Sequence, residues 1–294
     1  MELTVIAMIA GGNVLLEGVP GIGKTRLIRS LGRVFSLPFS RIQFTPDLMP
    51  ADITGTNVLE KDEKGNAVYT FRPGPIFSHI VLADEINRAT PKTQAALLEA
   101  MQEHSVTVAG ETHALSEPYF VLATQNPVEQ EGTYPLPEAQ LDRFLFKVLV
   151  RFPTLDELSG IVDMTVGGGE RRAEKVSDGE KLLRMRAVAR EVPVAKAVKE
   201  YALKLLLNTH PEIPESPEIS RKFLRFGASP RAAQALIAAA RVHALMEGRY
   251  NVSFDDIDFV APACLRHRIA LSFEGLSEGM TADGILRELM KITK

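Results

Sequence analysis

Residues 18–25 read Gly18-Val19-Pro20-Gly21-Ile22-Gly23-Lys24-Thr25. That spacing, G-x-x-x-x-G-K-[ST], suits one kind of chemistry: holding phosphate. Glycines let the backbone curl until several N–H groups face one anion, and a following helix adds the partial positive charge of its N-terminus. Lys24 would then reach the outer phosphates of a nucleoside triphosphate, and the Thr25 hydroxyl would sit on Mg²⁺. The plain alternative is a glycine-rich turn with a surface lysine. Farther along, Asp84-Glu85 closes the apolar run Ile80-Val81-Leu82-Ala83. An acid at the end of such a strand can hold the Mg²⁺ hydration shell, a role for Asp84, and Glu85 beside it suits a general base that polarises the attacking water. Alone, the pair is equally a strand meeting solvent through two acids; a phosphate loop in the same chain favours the metal and base.

These groups need rigid elements to aim them. Asn13-Val14-Leu15-Leu16-Glu17 supplies a strand before the loop, and the run from Arg26 to Leu31 a helix after it. The run 1–10 reads as a helix preceding that first strand. Further apolar strands are expected at 41–45, 80–83, 119–124 and 146–150, with a helix at 94–103 between them. Such alternation implies a parallel sheet flanked by helices. Two turn-rich stretches interrupt it, at 57–73 and 105–115, the second turning at Gly110. Both read as exposed hairpins, serving substrate contact or mere decoration. After Pro153 the strands are expected to stop, and 181–190, 195–208, 230–247 and 254–268 read as helices, with Asp255 in the first turn of the last. Gly167-Gly168-Gly169 reads as a loop, as does 211–217. The organisation expected is an α/β nucleotide-binding core over 1–152 and a smaller all-α lid over 153–294.

Composition narrows the function. Hydrophobic residues make up 45% of the 294, enough for a sizeable core. The net charge of −3 gives no bulk electrostatic reason to expect nucleic acid. Cys264 is the single cysteine, so no internal disulfide can form; a reducing, cytoplasmic setting is expected, with Cys264 a small buried side chain. No apolar stretch approaches the roughly 18 residues of a membrane span, and 1–10 lacks the basic start of a signal peptide.

Taken in order, a longer series of strings resembles the MoxR-type AAA+ ATPases. It runs Leu-Leu-Glu-Gly-Val-Pro-Gly-Ile-Gly-Lys-Thr from Leu15, Phe-Thr-Pro-Asp-Leu-Met-Pro-Ala-Asp-Ile-Thr-Gly from Phe44, and Phe-Arg-Pro-Gly-Pro-Ile-Phe from Phe71. It continues with Ala-Asp-Glu-Ile-Asn-Arg-Ala from Ala83, Ala-Thr-Gln-Asn-Pro from Ala123, Pro-Glu-Ala-Gln-Leu-Asp-Arg-Phe from Pro137 and Gly-Ala-Ser-Pro-Arg-Ala from Gly227. The resemblance implies an AAA+ core, with a helix-2 insert and a pre-sensor-1 hairpin, followed by a helical lid. It implies sensor 1 at Asn126, sensor 2 at Arg231 acting in cis, and an arginine finger at Arg143 acting on the neighbouring subunit's nucleotide, with Arg88 as a second candidate for that duty. Family members usually place a Val-Gly-Gln-type segment against the adenine; the chain shows no such segment before its first helix, which leaves the hold on the base open.

What the resemblance implies functionally is Mg²⁺-dependent ATP hydrolysis in a homo-oligomeric ring, expected to be a hexamer. The associated work is chaperone-like remodelling of a protein client, often with a partner bearing a von Willebrand factor A domain. Two alternatives stand beside it. A nucleic-acid motor would need cations on its hairpins, yet 105–118 holds no Lys or Arg and does hold Glu111 and Glu117. A nucleotide-gated scaffold without turnover would lack the base that Glu85 supplies.

Overall fold

The structure, a computed structural model, describes residues 1–19, 21, 23–127, 132–166 and 173–294; the expected triglycine loop at 167–169 lies outside the described residues. The chain divides into two compact units. One comprises Leu15–Leu136 with Leu149–Leu182; the other comprises Met1–Val14, Pro137–Val148 and Leu183–Lys294.

The first unit is built on a parallel sheet. Its strands are β1 (Val14–Glu17), β2 (Phe39–Gln43), β5 (Ile80–Asp84), β8 (Phe120–Gln125) and β9 (Phe146–Leu149), in the order β2-β5-β8-β1-β9. β1 and β9 each run from one unit into the other. The central strands β5 and β8 pair in register from Ile80 against Phe120 to Ala83 against Ala123, and all eight of these residues are buried. A run with no polar alternation is what a strand covered on both faces requires. β2 begins and ends two residues before the stretch expected at 41–45, because pairing with β5 starts at Phe39 against Ile80 and runs to Gln43 against Asp84. The helix Lys24–Val34 follows β1, burying Ile28 and Leu31 while Arg26, Arg29 and Arg33 stay exposed. The helix Pro91–Glu103 starts three residues before the expected 94, with Pro91 in its first turn, where a missing N–H costs nothing.

Both expected hairpins form. β3 (Gly55–Lys61) pairs antiparallel with β4 (Ala67–Pro73), and β6 (Ser105–Val108) with β7 (Glu111–Ala114). Gly110 takes the left-handed conformation at the second turn, with φ of 84°. The hairpins touch: the Phe71 and His113 rings stack with centroids 3.9 Å apart. Leu59 and Tyr69 on the first hairpin are exposed.

The second unit is largely helical. The long helices Lys196–Leu207, Pro230–Met246, Phe254–Leu265 and Ala282–Thr293 pack together, joined by Glu2–Ala10. The N-terminal helix thus belongs by its contacts with the lid helices rather than with the strand it precedes. The expectation that strands stop after Pro153 needs one correction. β10 (Leu224–Phe226) and β11 (Ala270–Leu271) form a two-stranded antiparallel ribbon, too short for hydrophobic periodicity to reveal. The helix Leu155–Val166 is likewise absent from the expectations.

Candidate active site

Parallel pairing brings the strand ends to one edge, and the loops leaving β1, β5 and β8 meet there. Gly18 N–H donates to the carbonyl of Gln125 at 3.2 Å, tying the base of the phosphate loop to the end of β8. Gly21 and Gly23 both have φ of 83°, the left-handed region that disfavours side chains. A Cβ on either would meet nothing within 4 Å, so it is backbone conformation, with the open space above it, that calls for glycine. Gly23 then caps the helix Lys24–Val34. Val19 is described in the same loop; Pro20 and Ile22, expected loop contacts, lie outside the described residues.

A cleft of about 510 Å³ is lined by Gly21, Gly23, Lys24, Thr25, Asp84, Glu85 and Asn126 among others. Of the expected site, Gly21, Gly23, Lys24, Thr25, Asp84, Glu85 and Asn126 therefore share one cavity. Lys24 Nζ donates to the Gly18 carbonyl at 2.7 Å. Burial holds its ammonium below the usual lysine range, with Asp84 and Glu85 pulling the other way. Asn126 is buried just beyond β8, facing the cleft.

The acidic pair is held more firmly than its sequence suggests. Thr124, fully buried on β8, donates from Oγ1 to Asp84 Oδ1 at 2.6 Å and accepts from Glu85 N–H at 2.8 Å. Glu85 itself adopts φ 57°, ψ 49°, a conformation that costs a non-glycine residue roughly 1–2 kcal/mol. Its Oε2 accepts from Gln43 Nε2 at 2.9 Å and from Arg88 Nη1 at 3.1 Å. Arg41 binds Asp84 Oδ2 through Nη2 at 2.6 Å and Nε at 3.1 Å. Sequence reasoning missed Arg41, Gln43 and Thr124. A signal existed for the first two: Arg41 and Gln43 flank the buried Ile42 at strand spacing, so both face the same way. Which strand they face is set only by β2 lying beside β5.

Arg143 and Arg231 fall in the other unit. Arg231 is the second residue of the helix Pro230–Met246, and its half-exposed side chain lies 3.8 Å from Asp142 Oδ2. Arg143 is the next residue after Asp142 and is half-buried. The expected constellation thus divides into a cleft cluster in one unit and, in the other, Arg231 beside Asp142 with Arg143 next to Asp142 in sequence. Arg88 belongs with the first of these, on the turn Ile86–Arg88 immediately after Glu85.

A parallel sheet carrying a glycine loop at one strand end and an acidic pair at another defines a nucleotide-binding ATPase fold with a helical lid. Comparison with known families agrees: residues 13–146 match the model of the ATPase family associated with various cellular activities, and 217–289 match an AAA lid domain. The crystal structure of a proposed ATPase from Cytophaga hutchinsonii ATCC 33406 superposes with a TM-score of 0.91 at 38% identity, covering 99% of this chain and 87% of that one. YeaC of Bacillus subtilis (strain 168) is 44% identical over 99% of this chain and 88% of its own length. Chaperone MoxR1 of Mycobacterium tuberculosis is 40% identical over 99% of this chain and 76% of its own, and protein MoxR of Methylorubrum extorquens is 31% identical, with 82% of its length covered. The chain belongs to the MoxR family of AAA+ ATPases.

Proposed function

We propose that this chain hydrolyses ATP in a Mg²⁺-dependent reaction whose sites are shared between subunits of a ring. The observation that carries the proposal is the gathering of Lys24, Thr25, Asp84, Glu85 and Asn126 around one cleft. Phosphoryl transfer asks the protein mainly for positioning and charge neutralisation, and these residues supply both. The loop N–H groups and Lys24 hold phosphate oxygens. A threonine hydroxyl and a carboxylate are the hard oxygen donors that Mg²⁺ takes, so Thr25 and Asp84 would hold it there, where it would supply positive charge against the phosphates. Glu85 accepts the proton of the attacking water, and Asn126 orients that water. Arg231 contacts the γ-phosphate of its own subunit and Arg143 that of a neighbour. In functional terms the core runs over 1–152 and the lid over 153–294, a division distinct from the packing units, which place the first helix and 137–148 with the lid helices.

The work coupled to hydrolysis is chaperone-like remodelling of a protein client in the cytoplasm, by a hexamer acting with a von Willebrand factor A domain partner. The naming of a relative as a chaperone supports this. So do the exposed Leu59 and Tyr69 on the first hairpin, which give an apolar surface for protein rather than phosphate.

The shared site is tested by mixing variants. Glu85→Gln lacks the base and Arg143→Ala lacks the trans arginine; each should bind ATP while turning over at least about 10²-fold more slowly, the scale of such groups. Mixed rings contain interfaces pairing an intact Glu85 with an intact Arg143 and should recover activity. Two inactive variants that stay inactive on mixing would rule out Arg143 acting in trans.

A further inference from the structure

Arg268 follows the helix Phe254–Leu265, and its side chain is 3% exposed. A guanidinium carries five N–H donors, and here each has an acceptor. Nε donates to Asp142 Oδ1 at 2.7 Å. Nη2 donates to the Asp142 carbonyl at 3.0 Å and to the Phe144 carbonyl at 2.7 Å. Nη1 donates to the Leu145 carbonyl at 3.2 Å and to the Cys264 carbonyl. Four of the five bonds therefore end on residues 142–145, on both sides of Arg143.

Its neighbours in sequence reinforce the attachment. His267 Nε2 lies 3.0 Å from the same Phe144 carbonyl. Burial holds His267 well below the usual histidine range, with Arg268 adding to the effect, so the ring is neutral; since a carbonyl only accepts, Nε2 carries the proton. Arg266 Nη1 donates to the Lys147 carbonyl at 3.1 Å. Three consecutive side chains thus bind the backbone on either side of Arg143, leaving that arginine between fixed points. The Asp142 carboxylate also accepts from Ser229 Oγ at 2.8 Å, next to the helix that bears Arg231.

We propose that Arg268 is a positioning residue for Arg143: its saturated guanidinium, paired with Asp142, sets the backbone that aims Arg143 at the neighbouring subunit's nucleotide. The proposal rests on the trans role of Arg143 given above. Lysine cannot replace it, because an ammonium has three donors and no planar fork. A misplacement of about 1 Å in a transition-state group costs on the order of 10²-fold in rate.

The test uses the full chain carrying Arg268→Lys. Binding of a fluorescent ATP analogue should match wild type, while kcat falls on the order of 10- to 10²-fold with little change in KM. Mixing with Glu85→Gln should restore activity, because the Arg268→Lys subunit keeps its own Glu85 and receives a well-placed Arg143 from its neighbour. A purely structural role would damage the variant's own site, and mixing would not repair it. Wild-type kcat, or a loss that mixing leaves unrepaired while the Arg143→Ala and Glu85→Gln mixture recovers, overturns the proposal. Failure of that second mixture instead removes the trans reading on which it rests. If Arg268→Lys does not fold, Arg268→Gln carries the same test, since its amide keeps two donors but loses the charge paired with Asp142; the same two outcomes decide.

Discussion

The hydroxyl of Thr124 bridges the two acids of the cleft, and its removal tests how the site is held. Thr124→Val keeps the shape of the side chain but deletes a donor to Asp84 Oδ1, at 2.6 Å, and an acceptor for Glu85 N–H, at 2.8 Å. A hydrogen bond to a charged group contributes about 1.5–3 kcal/mol, and a shielded amide left without an acceptor costs about 1–3 kcal/mol. The added methyl returns part of this, so a destabilisation of about 2–4 kcal/mol is expected from those two losses. Turnover should suffer separately. Glu85 sits at φ 57°, and loss of the bond to its own N–H frees it to relax out of the position its proposed role as base requires. At least about a 10-fold fall in kcat is expected, below the 10²- to 10⁴-fold scale of a base removed outright. Urea unfolding followed by far-UV circular dichroism reads the first quantity and steady-state ATP hydrolysis the second. Thr124→Ser, which keeps the hydroxyl, should stay near wild type in turnover. A Thr124→Val protein within about 0.5 kcal/mol of wild type, the ordinary scatter of neutral substitutions, with unchanged kcat would refute the bridge as a support for the site.

Two further expectations concern the helical unit. Cys264 is fully buried, and burial pushes its thiol up to about 12, so native protein should resist a thiol reagent at pH 8 and react only when denatured; rapid labelling of folded protein would contradict that burial. Burial alone would raise the Asp256 carboxyl, but hydrogen bonds from Arg249, Ser253 and His243 outweigh it and hold it well below the usual carboxylate range. A depressed folded value means the stabilisation is present above the unfolded value near 3.9 and disappears as pH falls below it. The difference in unfolding midpoint between wild type and Asp256→Asn should therefore be steady from pH 8 to about 5 and narrow below about 4; narrowing that began near pH 6 would point to another group.

The sequence by itself determined the phosphate loop, the acidic pair, both hairpins and the succession from α/β to helical structure. Each is local: glycine at left-handed positions, an apolar run ending in acids, turn residues between alternating strands, apolar residues at helical spacing. Their order along the chain was enough to mark the family. Tertiary structure decided which strands are neighbours, and with that which polar side chains serve the site. Arg41, Gln43 and Thr124 look like ordinary strand residues until β2 and β8 flank β5. Only then does one hydroxyl reach two acids and one guanidinium reach Asp84. Arg268 stands 126 residues beyond Asp142, and no periodicity links them. What joins them is the need of a buried guanidinium for a full set of acceptors, which the residues around Arg143 supply once the helical unit has folded.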